Sequence, residues 1–148
     1  MQLVEKVIAY ITDHGHLLVF EQPDDPQAGI QVPGGTVEPG ETTRQAVLRE
    51  AYEQTGLEGF EIVRFLGTRL YTPSPARERR RHFFHLVLRG RAAEVWDKGE
   101  KTPRSGHPPV LFRLRWVPLG GVPPLSRELG ALLEQLQASA GTNDVCSA

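Results

Sequence analysis

The sequence predicts an α+β fold made of several strands, one central helix and one terminal helix. Apolar segments of strand length recur on both sides of a helix-like segment that lies near residue 50. A second helical pattern begins at Ser126, a suitable N-cap, and continues through Gln137. A length of 148 residues suits one domain. We therefore expect a single domain over residues 1–137, followed by a disordered tail over residues 138–148.

The first two predicted strands form a hairpin. Val4 to Thr12 and His16 to Glu21 are rich in apolar and β-branched residues, and only Asp13-His14-Gly15 separates them. The next segment, Gln22 to Gly29, contains two prolines and two aspartates and predicts a loop. Two strands joined by so short a turn are expected to pair with each other.

A glycine-rich turn followed by a helix is predicted next. Pro33, Gly34 and Gly35, with Pro39-Gly40 after them, predict an irregular loop from Val32 to Glu41. Thr42 or Thr43 can cap the helix that follows, because threonine hydroxyls accept bonds from the first free backbone N–H groups. Gly56 is placed to end that helix.

The predicted helix has one acidic stripe. At about 100° per residue, Glu50, Glu53 and Gln54 fall on one face. The opposite face carries Val47, Leu48, Ala51 and Tyr52. Carboxylates on adjacent turns repel each other unless they are solvated, protonated or bridged by a cation. Such oxygen ligands suit Mg²⁺ or Mn²⁺, with substrate phosphates completing the shell. An ordinary solvated face is the alternative interpretation.

The second half of the chain predicts more strands. Phe60 to Tyr71 and Arg81 to Leu88 are apolar segments separated by a polar connection, Thr72 to Arg80. Lys98 to Pro109 is rich in breakers and predicts an insertion, and Val110 to Val117 alternates as a strand.

The strongest basic patch is a cluster of arginines beside aromatic residues. It contains Arg77, Arg79, Arg80 and Arg81. Arg77, Arg79 and Arg81 are our candidates for substrate binding, because guanidinium groups bind phosphate oxygens. An RNA backbone is a second possible ligand, and a solvated loop that balances the acidic helix is a third interpretation.

Composition and charge exclude several classes of protein. The net charge of −1 provides no bulk attraction to nucleic acid or membrane. Cys146 is the single cysteine, so the chain forms no internal disulfide. We find no signal-peptide apolar region and no apolar run of membrane-spanning length, which predicts a cytoplasmic protein.

The segment from Gly35 to Leu57, GTVEPGETTRQAVLREAYEQTGL, resembles the Nudix box, G-x5-E-x7-R-E-U-x-E-E-x-G-U, where U is aliphatic. The matching positions are Gly35, Glu41, Arg49, Glu50, Ala51, Glu53, Gly56 and Leu57. So many fixed positions in one window make chance agreement improbable. One position departs from the pattern: Gln54 replaces the second glutamate of the E-E pair. An amide carries no charge, so this change is expected to weaken the attraction for a dication.

The resemblance implies a fold and a set of site residues. The fold is an α/β/α sandwich with a mixed sheet between helices. The implied metal site for Mg²⁺ or Mn²⁺ comprises Gly34 through its carbonyl group, Glu41, Glu50, Glu53 and Gln54. The implied catalytic residues are Glu41, Arg49, Glu50 and Glu53, with Arg49 pairing with Glu41 to fix the loop against the helix.

The resemblance also implies hydrolysis of a nucleoside diphosphate linked to another moiety, X, by water attacking phosphorus. Metal ions activate water and neutralise phosphate charge. The general base stays open among Glu50, Glu94, Asp97 and Glu100. The alternative function is a nucleotide-binding or regulatory domain of this fold in which Gln54 marks lost catalysis. The resemblance also implies a homodimer, and moiety X and the base stay open.

Overall fold

The computed structural model describes residues 2–89, 94–99 and 110–138. The predicted α+β fold is confirmed: a mixed sheet lies between helix α1 and a C-terminal helical segment, residues 133–138. The regular elements are β1 (Gln2–Asp13), β2 (His16–Glu21), β3 (Gly34–Thr36), α1 (Thr43–Thr55), β4 (Phe60–Ser74), β5 (Arg77–Leu88), β6 (Val95–Gly99) and β7 (Leu111–Pro118). Within the described ranges, no helix is long and apolar enough to cross a membrane.

The sheet has the strand order β4-β5-β1-β2-β7-β6, and β3 pairs separately with β1. Strands β1 and β5 are parallel, whereas the other pairs are antiparallel, so the sheet is mixed. The predicted hairpin is present, with Asp13 opposite His16. The parallel pairing sets Lys6 opposite Arg81, and the antiparallel pairing with β3 sets Ile8 opposite Gly34.

Residues 7–12 of strand β1 are buried, and because successive side chains of a strand point to opposite sides of the sheet, they pack on both faces. One face packs against α1 in a cluster that includes Val7, Ala9, Ile11, Ala46, Val47 and Ala51. The other face packs beneath the C-terminal segment in a cluster that includes Ile8, Tyr10, Leu129, Leu132 and Leu136. The Tyr10 hydroxyl donates to the Leu129 carbonyl at 2.5 Å, which ties that segment to the sheet.

The caps of α1 are as predicted, but its buried face is rotated. Thr42 accepts a bond from the Gln45 N–H at 3.1 Å, and Gly56 ends the helix in the left-handed conformation. Leu48 and Tyr52, predicted to pack, are 38% and 46% exposed. The reason is that the small residues Ala46 and Ala51, with Val47 and Thr55, lie against the sheet and allow close approach.

Two connections differ from the prediction. The segment Thr72 to Arg80 is not a polar loop: β4 continues to Ser74 and β5 begins at Arg77, because β5 pairs with both β1 and β4. Gly34–Thr36 forms a short strand inside the predicted irregular loop, because it pairs with β1.

The C-terminal helix does not begin at Ser126. Arg127 and Glu128 have positive φ angles of 53° and 58°, which a regular helix excludes, and the helical residues are 133–138. Most of the predicted insertion, residues 100–109, lies outside the described residues, as do the predicted tail from 139 to 148, Glu100 and Cys146.

Candidate active site

Strand β3 carries the two glycines of the motif between the sheet and helix α1. It pairs with residues Lys6 to Ile8 of β1. A Cβ atom on Gly34 would lie 2.5 Å from the Val7 carbonyl oxygen, and one on Gly35 would collide with the carboxylate of Glu50. Neither position has room for a side chain. The two glycines therefore allow the backbone to contact the acidic face of α1 directly.

Arg49 lies at the centre of the acidic cluster. Its Nε and Nη2 donate to the two carboxylate oxygens of Glu41 at 2.7 and 2.9 Å, so the predicted contact of Arg49 with Glu41 is present. Its Nη1 donates to Glu50 at 2.8 Å and to Glu53 at 3.1 Å, and Nη2 also reaches the Thr36 carbonyl at 2.9 Å. One guanidinium thus links the loop before the helix, strand β3 and two turns of α1.

The carboxylates of this cluster differ in their surroundings. The hydrogen bond from Arg49 lowers the pKa of Glu41 to about 2. Burial raises the pKa of Glu50, against the opposing effect of Arg49. The Glu50 and Glu53 side chains are 13% and 26% exposed, so the acidic stripe is not an ordinary solvated face. Glu38 lies 3.6 Å from the same guanidinium, so four carboxylates surround one arginine and the cluster is acidic.

Gln54 contacts the backbone of Gly34 at both of its polar atoms. Its Nε2 donates to the Gly34 carbonyl oxygen, and its Oε1 accepts from the Gly34 N–H at 3.4 Å. The carbonyl group implied as a metal ligand is therefore already hydrogen-bonded to the residue that replaces the family's glutamate. In residues 2–89, 94–99 and 110–138, no three histidine, cysteine or acidic side chains are arranged to enclose a metal ion.

A cleft of about 160 Å³ lies beside strand β3. Its polar lining residues are Lys6, Gln31, Gln54, Arg81 and Arg127, together with the backbone of Gly34 and Gly35. The aromatic ring of Phe20 and the side chains of Ile8, Val32 and Leu129 complete it. The acidic cluster and this cleft therefore meet at the same two glycines.

The cleft is strongly basic. Arg81, which was predicted to bind substrate, is 8% exposed. Its guanidinium lies 3.9 Å from the centre of the Tyr71 ring and donates a hydrogen bond to the Arg127 carbonyl at 2.5 Å. Burial, with the nearby charges of Arg79 and Arg81, lowers the pKa of Lys6. Burial also lowers the pKa of Arg81. These cations carry a desolvation cost that a bound anion would offset.

Gln31 has an unpaired hydrogen-bond donor beside these cations. The residue is 7% exposed, and its Nε2 has no hydrogen-bond partner among the described residues. A buried polar atom without a partner is costly, on the order of 1–3 kcal/mol. A ligand that presents an acceptor in this cleft would relieve that cost.

Other predicted residues lie elsewhere. Asp97 is paired with Arg113 at 2.9 and 3.2 Å on the β6–β7 pair, and this contact lowers the pKa of Asp97. Glu94 lines a separate cleft with His14 and His16. Arg77 begins strand β5 and is exposed. Arg80, on the α1 side of the sheet, donates to Glu5 at 2.9 Å.

Sequence reasoning missed Lys6, Gln31 and Arg127. Lys6 interrupts an apolar strand, which was a usable signal, but its position opposite Arg81 depends on the parallel β1–β5 pairing. Gln31 reaches the cleft because its backbone pairs with Phe20 of β2, and Arg127 because the C-terminal segment folds over the sheet. Tertiary structure, not local pattern, brings these residues together.

Comparison with known proteins identifies the family of the chain. Residues 3–136 match the family described as NUDIX domain. A CTP pyrophosphohydrolase from Escherichia coli (strain K12) is 42% identical over 60 residues. That alignment covers 39% of this chain and 44% of the relative, so the chain matches less than half of that protein's length.

Two solved structures share the fold. A MutT NUDIX hydrolase from Burkholderia pseudomallei has a TM-score of 0.65 and 23% sequence identity, over 92% of this chain and 99% of that chain. The NUDIX domain of Shewanella oneidensis NrtR, in complex with ADP ribose, has a TM-score of 0.67 and 20% identity, over 93% of this chain and 88% of that chain. At these identities the comparison establishes the fold alone.

Proposed function

Because the chain belongs to the NUDIX domain family, we propose that it is a metal-dependent pyrophosphohydrolase that cleaves a nucleoside diphosphate linked to another moiety, X. One observation carries the proposal: an acidic cluster and a basic cleft share the Gly34–Gly35 backbone. Gly35 touches the Glu50 carboxylate, and both glycines line the cleft with Lys6 and Arg81. An anion bound by the cations would lie beside the carboxylates.

The cleft is assigned to the diphosphate group. Lys6, Arg81 and Arg127 supply positive charge in a partly desolvated site, where it attracts an anion more strongly than in water. Arg79 adds to this field, since its charge acts on Lys6 and Arg81. Gln31 would donate its free N–H to an acceptor on the ligand. These residues bind and orient the substrate.

The acidic cluster is assigned to a divalent cation, Mg²⁺ or Mn²⁺. Glu41, Glu50 and Glu53 supply hard oxygen atoms and together exceed the charge of Arg49. Because all three are bonded to Arg49, a cation would have to replace some of these bonds and draw the carboxylates together. Gly34 and Gln54 do not fit as they stand, since they are bonded to each other. When bound, the cation would activate water and neutralise phosphate charge.

Glu50 is our candidate for the general base. Its carboxylate lies against Gly35, at the border of the cleft. Asp97 is engaged with Arg113, and Glu94 lines another cleft. Arg49 holds Glu50 and Glu53 in place while its own charge remains fixed.

A screen of diphosphate compounds tests this function. CTP and ADP ribose are the first substrates to test, because they are named for a relative and for a structural neighbour. Nucleotide sugars and dinucleoside polyphosphates complete the panel, with Mg²⁺ or Mn²⁺ and phosphatase-coupled phosphate release. We expect turnover of at least one compound and its loss in excess EDTA. Undiminished turnover in EDTA would refute the metal assignment.

The second candidate is a nucleotide-binding or regulatory domain without hydrolysis. The contact between Gln54 and Gly34 favours it, because it occupies a backbone group implied as a metal ligand. The same screen distinguishes the two functions when a thermal-shift measurement accompanies each compound. Stabilisation by a compound that is never hydrolysed, with either metal, would support the binding domain and overturn the hydrolase.

A further inference from the structure

The amide side chain of Gln54 can pair with both backbone groups of Gly34. An amide offers a donor and an acceptor, and here Nε2 donates to the carbonyl while Oε1 accepts from the N–H. A carboxylate, which the motif has at this position, accepts only. Glutamate at position 54 would face the Gly34 carbonyl oxygen with a second oxygen, and the two would repel each other unless a cation, a proton or water lay between them.

Helix α1 thus holds both ends of strand β3 through its own side chains. Gln54 bonds to Gly34 at one end, and Arg49 donates to the Thr36 carbonyl at 2.9 Å at the other. Between them, Gly35 lies against Glu50. Contacts between protein groups therefore suffice to fix the position of the strand against the helix.

We propose that Gln54 is a positioning residue that fixes Gly34 against helix α1 in place of a metal ion. The Gly34 carbonyl, which is occupied by Gln54, would then take no part in binding the cation of the proposed function. The existence of that cation rests on the proposed function. The attachment of strand β3 to helix α1 is independent of it. The glycine backbone, which borders both the cleft and the acidic cluster, stays ordered whether or not metal is bound.

Melting temperatures of full-length variants test this role. In EDTA, Gln54→Glu and Gln54→Leu should each melt on the order of 5 °C below wild type, because each loses the paired hydrogen bonds. In Mg²⁺, Gln54→Glu should gain several degrees more than wild type, because a carboxylate at position 54 joins the metal site. Gln54→Leu should gain no more than wild type. Gln2→Glu, an exposed change of equal charge, is the control and should behave as wild type.

Hydrogen exchange gives a second readout at the strand itself. The Gly34 amide should exchange faster in both Gln54 variants in EDTA, and Mg²⁺ should restore protection only in Gln54→Glu. Equal melting temperatures of all proteins in EDTA would overturn the proposal, as would equal Mg²⁺ gains in the two Gln54 variants. If wild type shows no turnover and no Mg²⁺ response while both variants still melt lower in EDTA, the proposed function fails and the positioning role stands.

Discussion

Replacing Arg49 by alanine is the sharpest test of the acidic cluster. The change removes hydrogen bonds of 2.7 to 3.1 Å to Glu41, Glu50 and Glu53, and one to the Thr36 carbonyl. The three carboxylates are left facing one another without a counter-charge. Their side chains are 14%, 13% and 26% exposed, which is neither fully buried nor free in solvent.

The expected loss lies between two limits. Exposed ion pairs contribute about 0.2–1 kcal/mol, whereas removing one partner of a buried pair costs about 3–5 kcal/mol. For a cluster of intermediate exposure we expect Arg49→Ala to lower the free energy of unfolding by about 2 to 3 kcal/mol. In a chain of this size that corresponds to a fall in melting temperature of roughly 8 °C.

Urea denaturation in EDTA measures this loss without contribution from metal. Arg44→Ala is the matched control, because Arg44 is an exposed arginine of the same helix. It should change stability by less than about 0.5 kcal/mol. If Arg49→Ala and Arg44→Ala were equally stable, the cluster would not depend on the guanidinium, and the structural role of Arg49 would be wrong.

Two further predictions follow from buried polar groups. Gln31→Leu should raise the KM of any substrate about tenfold, because it removes the unpaired donor of the cleft. The free energy of unfolding should be unchanged or higher. An unchanged KM would show that Gln31 is not part of the binding site. His85 is fully buried and bonded to Thr12 at 2.7 Å, and burial lowers its pKa from 6.5 to about 4. The unfolded chain then binds a proton at a higher pH than the native state does, so His85 should cost roughly 2 kcal/mol of stability as pH falls from 8 to 5. Urea denaturation of His85→Gln should show a smaller loss over this range, and an identical pH dependence would contradict the assignment.

Local signals were sufficient to predict the helix and most of the strands. The Thr42 cap and Gly56 stop follow from hydrogen bonds within a few residues, and the hairpin at Asp13 follows from a short turn between apolar segments. The contact between Arg49 and Glu41 was expected from the motif. These features depend on neighbours in the sequence, which is why sequence analysis found them.

The basic cleft could not be predicted in the same way. Lys6 and Arg81 are 75 residues apart and become neighbours only through the parallel register of β1 and β5. Arg77, Arg79 and Arg80 were predicted in a polar connection because their charges resemble a solvated segment, whereas strand pairing on both sides holds them in the sheet. The bond between Gln54 and Gly34 likewise required the actual position of β3. Side-chain identity alone left the role of Gln54 open.

Glutamate-to-glutamine variants test the central claim, that the acidic cluster beside the glycine backbone drives metal-dependent hydrolysis. We would measure turnover of the best substrate from the screen, together with melting temperature, for Glu53→Gln, Glu50→Gln and the exposed control Glu58→Gln. The account predicts losses on the order of 100-fold or more in the first two, with folding retained, and wild-type turnover in the control. Near wild-type rates in both Glu53→Gln and Glu50→Gln would contradict it and place the reaction elsewhere.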